Sequence, residues 1–222
     1  MKKITVIAGH YGSGKSTFAA NYVVKMSEAG EKVTVVDMDT VNPYYRTADL
    51  SELFAEKGVK LIAPRYAGTN LDVPILDYDL SSLCAEGRKL VIDLGGDDAG
   101  AFPLGKFREF IRECYDETEI LYVVNFCRYL TSECTDAEEI LREIESACGL
   151  KATAIVNNTN LGFETDSGTS AKGRQKAEER SEKTGLSMFC HTLPLIPSCG
   201  NMSDSTDNGV FPLEIYIRNV WN

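Results

Sequence analysis

Histidine is scarce in this chain, with His10 and His191 its two representatives, and the seven cysteines never form a CxxC or CxC pair. Both absences argue against zinc-ribbon and His-rich metal motifs, whose ligands come at short fixed spacings. Positive charge is also in deficit: 23 Lys and Arg face 33 Asp and Glu, a formal net charge of −10. Such a field repels nucleic acid and anionic lipid unless a local basic cluster overrides it. The best candidate cluster, Lys172, Arg174, Lys176, Arg180 and Lys183, is interleaved with glutamates and reads as a solvated helix face. No run approaches the roughly 20 apolar residues of a membrane span. The apolar segment after Met1-Lys2-Lys3 is too short for a signal peptide and stops at a glycine turn. These absences lead us to expect a cytoplasmic protein with reduced thiols that binds neither nucleic acid nor membrane.

What the chain does have is a recurrence of short apolar runs rich in β-branched residues. They fall at Ile4–Ala8, Val33–Val36, Val59–Ile62, Leu90–Leu94, Ile120–Val124, Ala152–Val156 and Met188–Leu193. Runs of that length and composition are expected of parallel strands buried on both faces. Between them, apolar residues recur at helical spacing: Phe18, Tyr22 and Met26; Leu104, Phe107, Ile111 and Cys114; Ala137, Ile140, Leu141, Ile144 and Cys148. Thr135-x-x-Glu138 is a capping box for the third helix, and Gly149 is its stop. Asn157–Ser170 and Ser198–Gly209 read as polar loops. The 222 residues suit one domain, 1–222, of α/β class: a doubly wound, mostly parallel sheet with helices on both faces. In such sheets ligands bind beyond the carboxyl ends of the strands.

The sharpest motif lies at the end of the first strand. Gly9-His10-Tyr11-Gly12-Ser13-Gly14-Lys15-Ser16 matches GxxxxGK[ST], between a strand and a helix. Successive backbone N–H groups can wrap a polyphosphate only where glycine allows the turn, and Gly9, Gly12 and Gly14 allow it around Ser13. Lys15 supplies a point charge for the β- and γ-phosphate oxygens, Ser16 a hydroxyl for Mg²⁺, and Thr17 a further phosphate contact. Two strands then end in carboxylates. Val33–Val36 leads into Asp37-Met38-Asp39, whose acids cannot share one side of a strand. Asp37 is the expected Mg²⁺ ligand and Asp39 the group that orients an attacking water. Asn42-Pro43 makes 39–47 a candidate switch, and Arg46 reads equally as a phosphate ligand or a surface ion pair. The run Leu90–Leu94 contains Asp93, expected near Mg²⁺, and precedes Gly96, whose N–H could reach the γ-phosphate. Asp97 and Asp98 read as helix caps.

With GHYGSGKST, VDMDTVNP and VIDLGGDDAGA in order, followed by AIVNNTN and LPLIP, the chain resembles the MinD/ParA/CobQ/CobB, or SIMIBI, class of P-loop proteins. Among that class's relatives are CooC-type ATPases. The resemblance implies ATP and Mg²⁺ as cofactors, and adenine recognition by Asn157 and the Pro194–Pro197 loop, including Pro194 and Pro197 themselves. Guanine recognition by this class would call for an NKxD-like aspartate, whereas this chain reads Asn157-Asn158-Thr159-Asn160. The resemblance also implies a signature lysine at the position of His10, and Arg46, Arg65 and Arg128 are candidates to replace its charge. Unlike MinD relatives, the tail Pro212–Trp221 carries Arg218 as its one positive charge, so it is expected to dock on the domain.

These readings converge on a Mg²⁺-dependent ATPase that works as a nucleotide-controlled switch for an unidentified protein partner, with a nucleotide-dependent homodimer as one form. Lys15, Asp39 and Asp37 would be its catalytic residues. Two alternatives stand beside it: a small-molecule kinase or ligase of the same fold, and a module that holds ATP without meaningful hydrolysis.

Overall fold

The computed structural model describes residues 2–39, 46–63, 79–128, 134–196 and 209–216. Their centre is an eight-stranded sheet in the order β3-β2-β4-β1-β5-β6-β7-β8. Its strands are β1 (Ile4–Ala8), β2 (Val33–Asp37), β3 (Lys60–Ile62), β4 (Lys89–Asp93), β5 (Thr118–Val124), β6 (Ala154–Asn157), β7 (Ser187–Pro194) and β8 (Val210–Leu213). Every neighbouring pair is parallel. The helices are α1 (Lys15–Glu28), α2 (Ser51–Glu56), α3 (Leu80–Ala85), α4 (Asp98–Gly105), α5 (Arg108–Glu113), α6 (Cys134–Cys148) and α7 (Ser167–Thr184).

Alternation along the central strands sends successive side chains to two separate cores. Ile7, Val35, Val123 and Val156 meet Phe18 and Tyr22 of α1 on one face. Val6, Ile92, Tyr122 and Ile155 meet Leu104 of α4, Ile144 of α6 and Ala177 of α7 on the other. Each such side chain, fully buried, stabilises the fold by about 1.5–3 kcal/mol. The order of the strands reverses at β1, which lies between β4 and β5. Such a switch point opens a crevice above the strand ends, and the glycine loop after β1 lies there.

Three expectations are corrected, and the tail adds a strand. The face Leu104–Cys114 is divided between α4 and α5, because Pro103 removes a backbone donor just before Gly105 and the chain turns at Lys106 and Phe107. The polar stretch Asn157–Ser170 is not loop throughout: α7 begins at Ser167, capped by Asp166, whose carboxylate accepts from Thr169 N–H at 2.7 Å. Arg180 is not part of a solvated face, since it is 1% exposed and its guanidinium lies 4.0 Å from Glu138. The tail contributes an eighth strand, which tolerates Pro212 because it lies at the sheet edge. Its continuation is tied to α1, where the Asn21 amide donates to Glu214 O and accepts from Glu214 N–H, both at 2.8 Å. Docking of the tail is therefore seen as far as Tyr216; Ile217–Trp221 lie outside the described residues.

Candidate nucleotide site

The glycine loop takes the backbone shape its motif requires. Gly12 and Gly14 have φ of 76° and 85°, in the left-handed region where a side chain is strained. Gly14 also caps α1, so the helix's free N–H groups open directly into the loop. Gly96 serves a different need: its carbonyl accepts from Tyr11 N–H at 3.0 Å, and a Cβ there would lie 2.6 Å from that nitrogen. Only glycine lets the β4–α4 turn rest against the phosphate loop this closely.

Lys15 is buried and donates to His10 O at 3.2 Å, closing the loop on itself. Burial lowers its pKa, opposed by the negative charges of Asp93, Asp39 and Asp97. Those three carboxylates, which lie at or after the ends of β2 and β4, are near enough to act on the lysine's charge. The Asp93 carboxyl is pushed up to about 7 by burial and by Asp37, against the pull of Lys15 and the nearby Ser16 hydroxyl. Among the described residues the Asp93 oxygens and the buried Ser13 hydroxyl meet no donor or acceptor in full hydrogen-bonding geometry, Ser16 being the hydroxyl close enough to act on the Asp93 carboxyl. Buried acceptors left without donors are costly. Asp93 with Ser16 is thus a donor set that fits Mg²⁺, an ion that keeps only one or two protein ligands and takes the rest from phosphate and water.

Asp37 is differently placed. The Arg46 guanidinium donates to both of its oxygens, at 3.1 and 3.0 Å, and the N–H groups of Asp39 and Ala48 donate at 2.9 and 3.1 Å. Burial raises its carboxyl, while Arg46 and the two N–H groups oppose that shift. Both oxygens are already engaged, which makes Asp37 a tie between β2 and the turn at Thr47 and leaves Arg46 as neither a phosphate ligand nor a surface ion pair. Asp39 is 6% exposed beside the lysine. Thr40–Tyr45, most of the candidate switch, lie outside the described residues. Asp97 caps α4 through a 2.7 Å bond from Gly100 N–H, and Asp98 accepts from Ala99 N–H at 2.9 Å.

At the β6 end, the residue next to the phosphate loop is Asn158. Its amide donates to Ser13 O at 2.7 Å and accepts from the Thr192 hydroxyl at 2.6 Å. The Asn157 amide is instead paired with His191 Nδ1 at 3.0 Å and with the Thr159 hydroxyl at 2.6 Å. Asn157, His191 and Thr159 line a cavity of about 190 Å³, together with Ser170, Arg174 and Leu193. Pro194 is buried at the end of β7, whereas Pro197 and Arg65 lie outside the described residues. Sequence reading missed Asn158; the signal was available, since two adjacent asparagines at a strand end cannot point the same way. Arg128 completes the surround, its Nε–H donating to Gly12 O at 3.0 Å.

Fold and loop together define a nucleotide-binding P-loop NTPase fold. No protein-family model matches the chain, and no curated protein is similar enough in sequence to match it. Solved structures do match in fold. The signal recognition particle 54 kDa protein of Aeropyrum pernix K1, solved with GDP, is 19% identical at a TM-score of 0.52, over 85% of this chain and 40% of its own. The cell division protein FtsY of Thermotoga maritima is 17% identical at 0.54, over 86% and 61%. Chloroplast FtsY of Physcomitrella patens is 14% identical at 0.58, over 86% and 58%. The chain spans between two fifths and three fifths of these proteins, and at such identities the likeness establishes fold alone. No described helix is long and apolar enough to cross a membrane.

Proposed function

We propose that residues 1–222 form one Mg²⁺-dependent ATP-binding domain of MinD/ParA-like type that hydrolyses ATP to ADP and phosphate and acts as a switch for a partner protein. The observation that carries the reading is that Lys15 and Asp93 are both buried at the glycine loop, with the Asp93 oxygens and Ser13 hydroxyl lacking full hydrogen-bond partners among the described residues. A lysine with three surrounding carboxylates suits a polyphosphate accompanied by a divalent cation. When bound, Mg²⁺ would neutralise charge on the phosphate oxygens, held by Ser16 and, directly or through water, Asp93.

The chain's own groups have separable tasks. Lys15 and the N–H groups of Gly9–Thr17 hold and polarise the phosphates. Gly96 brings the β4–α4 turn to their outer end. Asp39 places the water for in-line attack. ATP is favoured over GTP by the missing carboxylate in Asn157–Asn160, and adenine recognition falls to Asn157, which lines the cavity, and the Pro194–Pro197 loop. Coupling to a partner is supported by exposed Tyr11 on the phosphate loop and Phe102 on α4, at 59% and 73% exposure, which a change at Gly96 would shift together. The test is Asp39→Ala: ATP affinity should be retained and steady-state ATP turnover should fall by roughly a hundredfold, the size of a lost positioning or acid–base group. An unchanged turnover rate contradicts the assignment of Asp39.

A further inference from the structure

Few described cations touch the phosphate loop, which narrows the candidates for a second phosphate ligand beside Lys15. The charges of Asp93, Asp39 and Asp97 act on Lys15. Arg46, the nearest other arginine on the β2 side, is consumed by Asp37. The remaining described cation in contact with the loop is Arg128, and its position is set from three sides. Arg128 N–H donates to Asn125 O at 3.2 Å, and Cys127 N–H to the Asn125 side chain at 2.9 Å, forming the tight turn after β5. The Asn125 amide reaches across to Asn160 O at 3.0 Å, and Phe126 N–H to the Thr159 hydroxyl at 3.2 Å. That turn is therefore fixed against the β6 end before Arg128 meets Gly12.

Only one of the five guanidinium N–H groups is spent there, on Gly12 O. No ion pair joins Arg128 to a described carboxylate, although 33 acids outnumber 23 bases in the chain. An exposed arginine with no carboxylate partner among the described residues, held by Nε against the glycine loop, has two Nη groups suited to a planar oxyanion. We infer that Arg128 is a phosphate clamp supplied within the same chain, binding the outer phosphates of the nucleoside triphosphate and favouring triphosphate over diphosphate. The inference rests on the nucleotide reading above and adds to it the residue that discriminates the two ligands.

The alternative is that Arg128 merely braces Gly12, and nucleotide titrations separate the two. Binding of ADP and of a non-hydrolysable ATP analogue is measured by calorimetry with Mg²⁺ for the full chain, Arg128→Ala, Arg128→Lys and Lys15→Ala, with a melting curve for each. A clamp predicts that Arg128→Ala weakens the triphosphate analogue by roughly tenfold or more, the scale of a lost charge-assisted bond. ADP affinity and melting temperature should stay near wild type, and Arg128→Lys should recover part of the loss. Equal weakening of both ligands with a lowered melting temperature means a brace and overturns the clamp, as does an unchanged affinity. Binding by the wild type that Lys15→Ala abolishes keeps the nucleotide reading intact in either case; a wild type that binds neither ligand defeats that reading and the clamp with it.

Discussion

Asp93 is a fully buried carboxyl beside the phosphate loop, and its protonation is coupled to folding. A carboxyl held at about 7 binds its proton more tightly in the folded chain than in the unfolded one, whose value is near the ordinary 3.8. Between roughly pH 4 and 7 the folded state therefore holds the extra proton, and stability from this group is fullest below pH 4 and lost as pH rises through 7. Near pH 8 the loss is on the order of a few kcal/mol. Asp93→Asn should accordingly raise the melting temperature of the ligand-free protein at pH 8 and flatten its decline between pH 5 and 8. A steeper decline in the variant contradicts the buried carboxylate described above. The same variant removes the anionic ligand on which Mg²⁺ would depend, so stability and Mg²⁺-dependent binding should move in opposite directions. Lys15, Ser16 and Asp93 were legible in the sequence because each follows a strand at a spacing its chemistry demands. The engagement of both Asp37 oxygens was not legible, because it depends on Arg46 folding back from nine residues away.

Elements carry the site by pinning their ends to one another. β2 is tied to the turn at Thr47 through the Asp37–Arg46 pair, with side chains 0% and 5% exposed. Removing one member strands a buried charge, which typically costs about 3–5 kcal/mol, whereas removing both costs far less. Arg46→Met should therefore lower the free energy of unfolding in urea by about that amount, and adding Asp37→Asn should recover part of it. Additive losses contradict a coupled pair. Strand and helix positions could be read from periodicity wherever a run was long or strongly apolar, as at Ile4–Ala8 and Ala137–Cys148. β8 escaped because Val210–Leu213 is four residues long, contains a proline and follows a polar stretch. Arg180 could have been found: it shares with Gly173 and Ala177 the buried stripe of α7, at helical spacing, and was read by its charge instead. The glycine there is a packing requirement, since a Cβ at Gly173 would meet the Thr159 side chain.

At the scale of the whole molecule, two cations meet the phosphate loop at one end of a parallel sheet. Lys15 lies beneath the phosphate loop and Arg128 on it, while Asn158 and Gly96 link that loop to the ends of β6 and β4. That arrangement lets one ligand bring together turns from four strands, and the exposed apolar residues Tyr11, Phe102, Phe163 and Leu195 follow β1, β4, β6 and β7. A change of ligand at the centre would be felt by each of them. The central claim is that the loop after β1 binds a nucleoside triphosphate through Lys15, and direct binding tests it most plainly. Titration of ATP with Mg²⁺ into the wild type and Lys15→Ala should give saturable one-site binding in the first and a loss of roughly tenfold to a hundredfold in the second, as expected for a removed charge-assisted contact. Equal affinity in the two proteins would contradict the account.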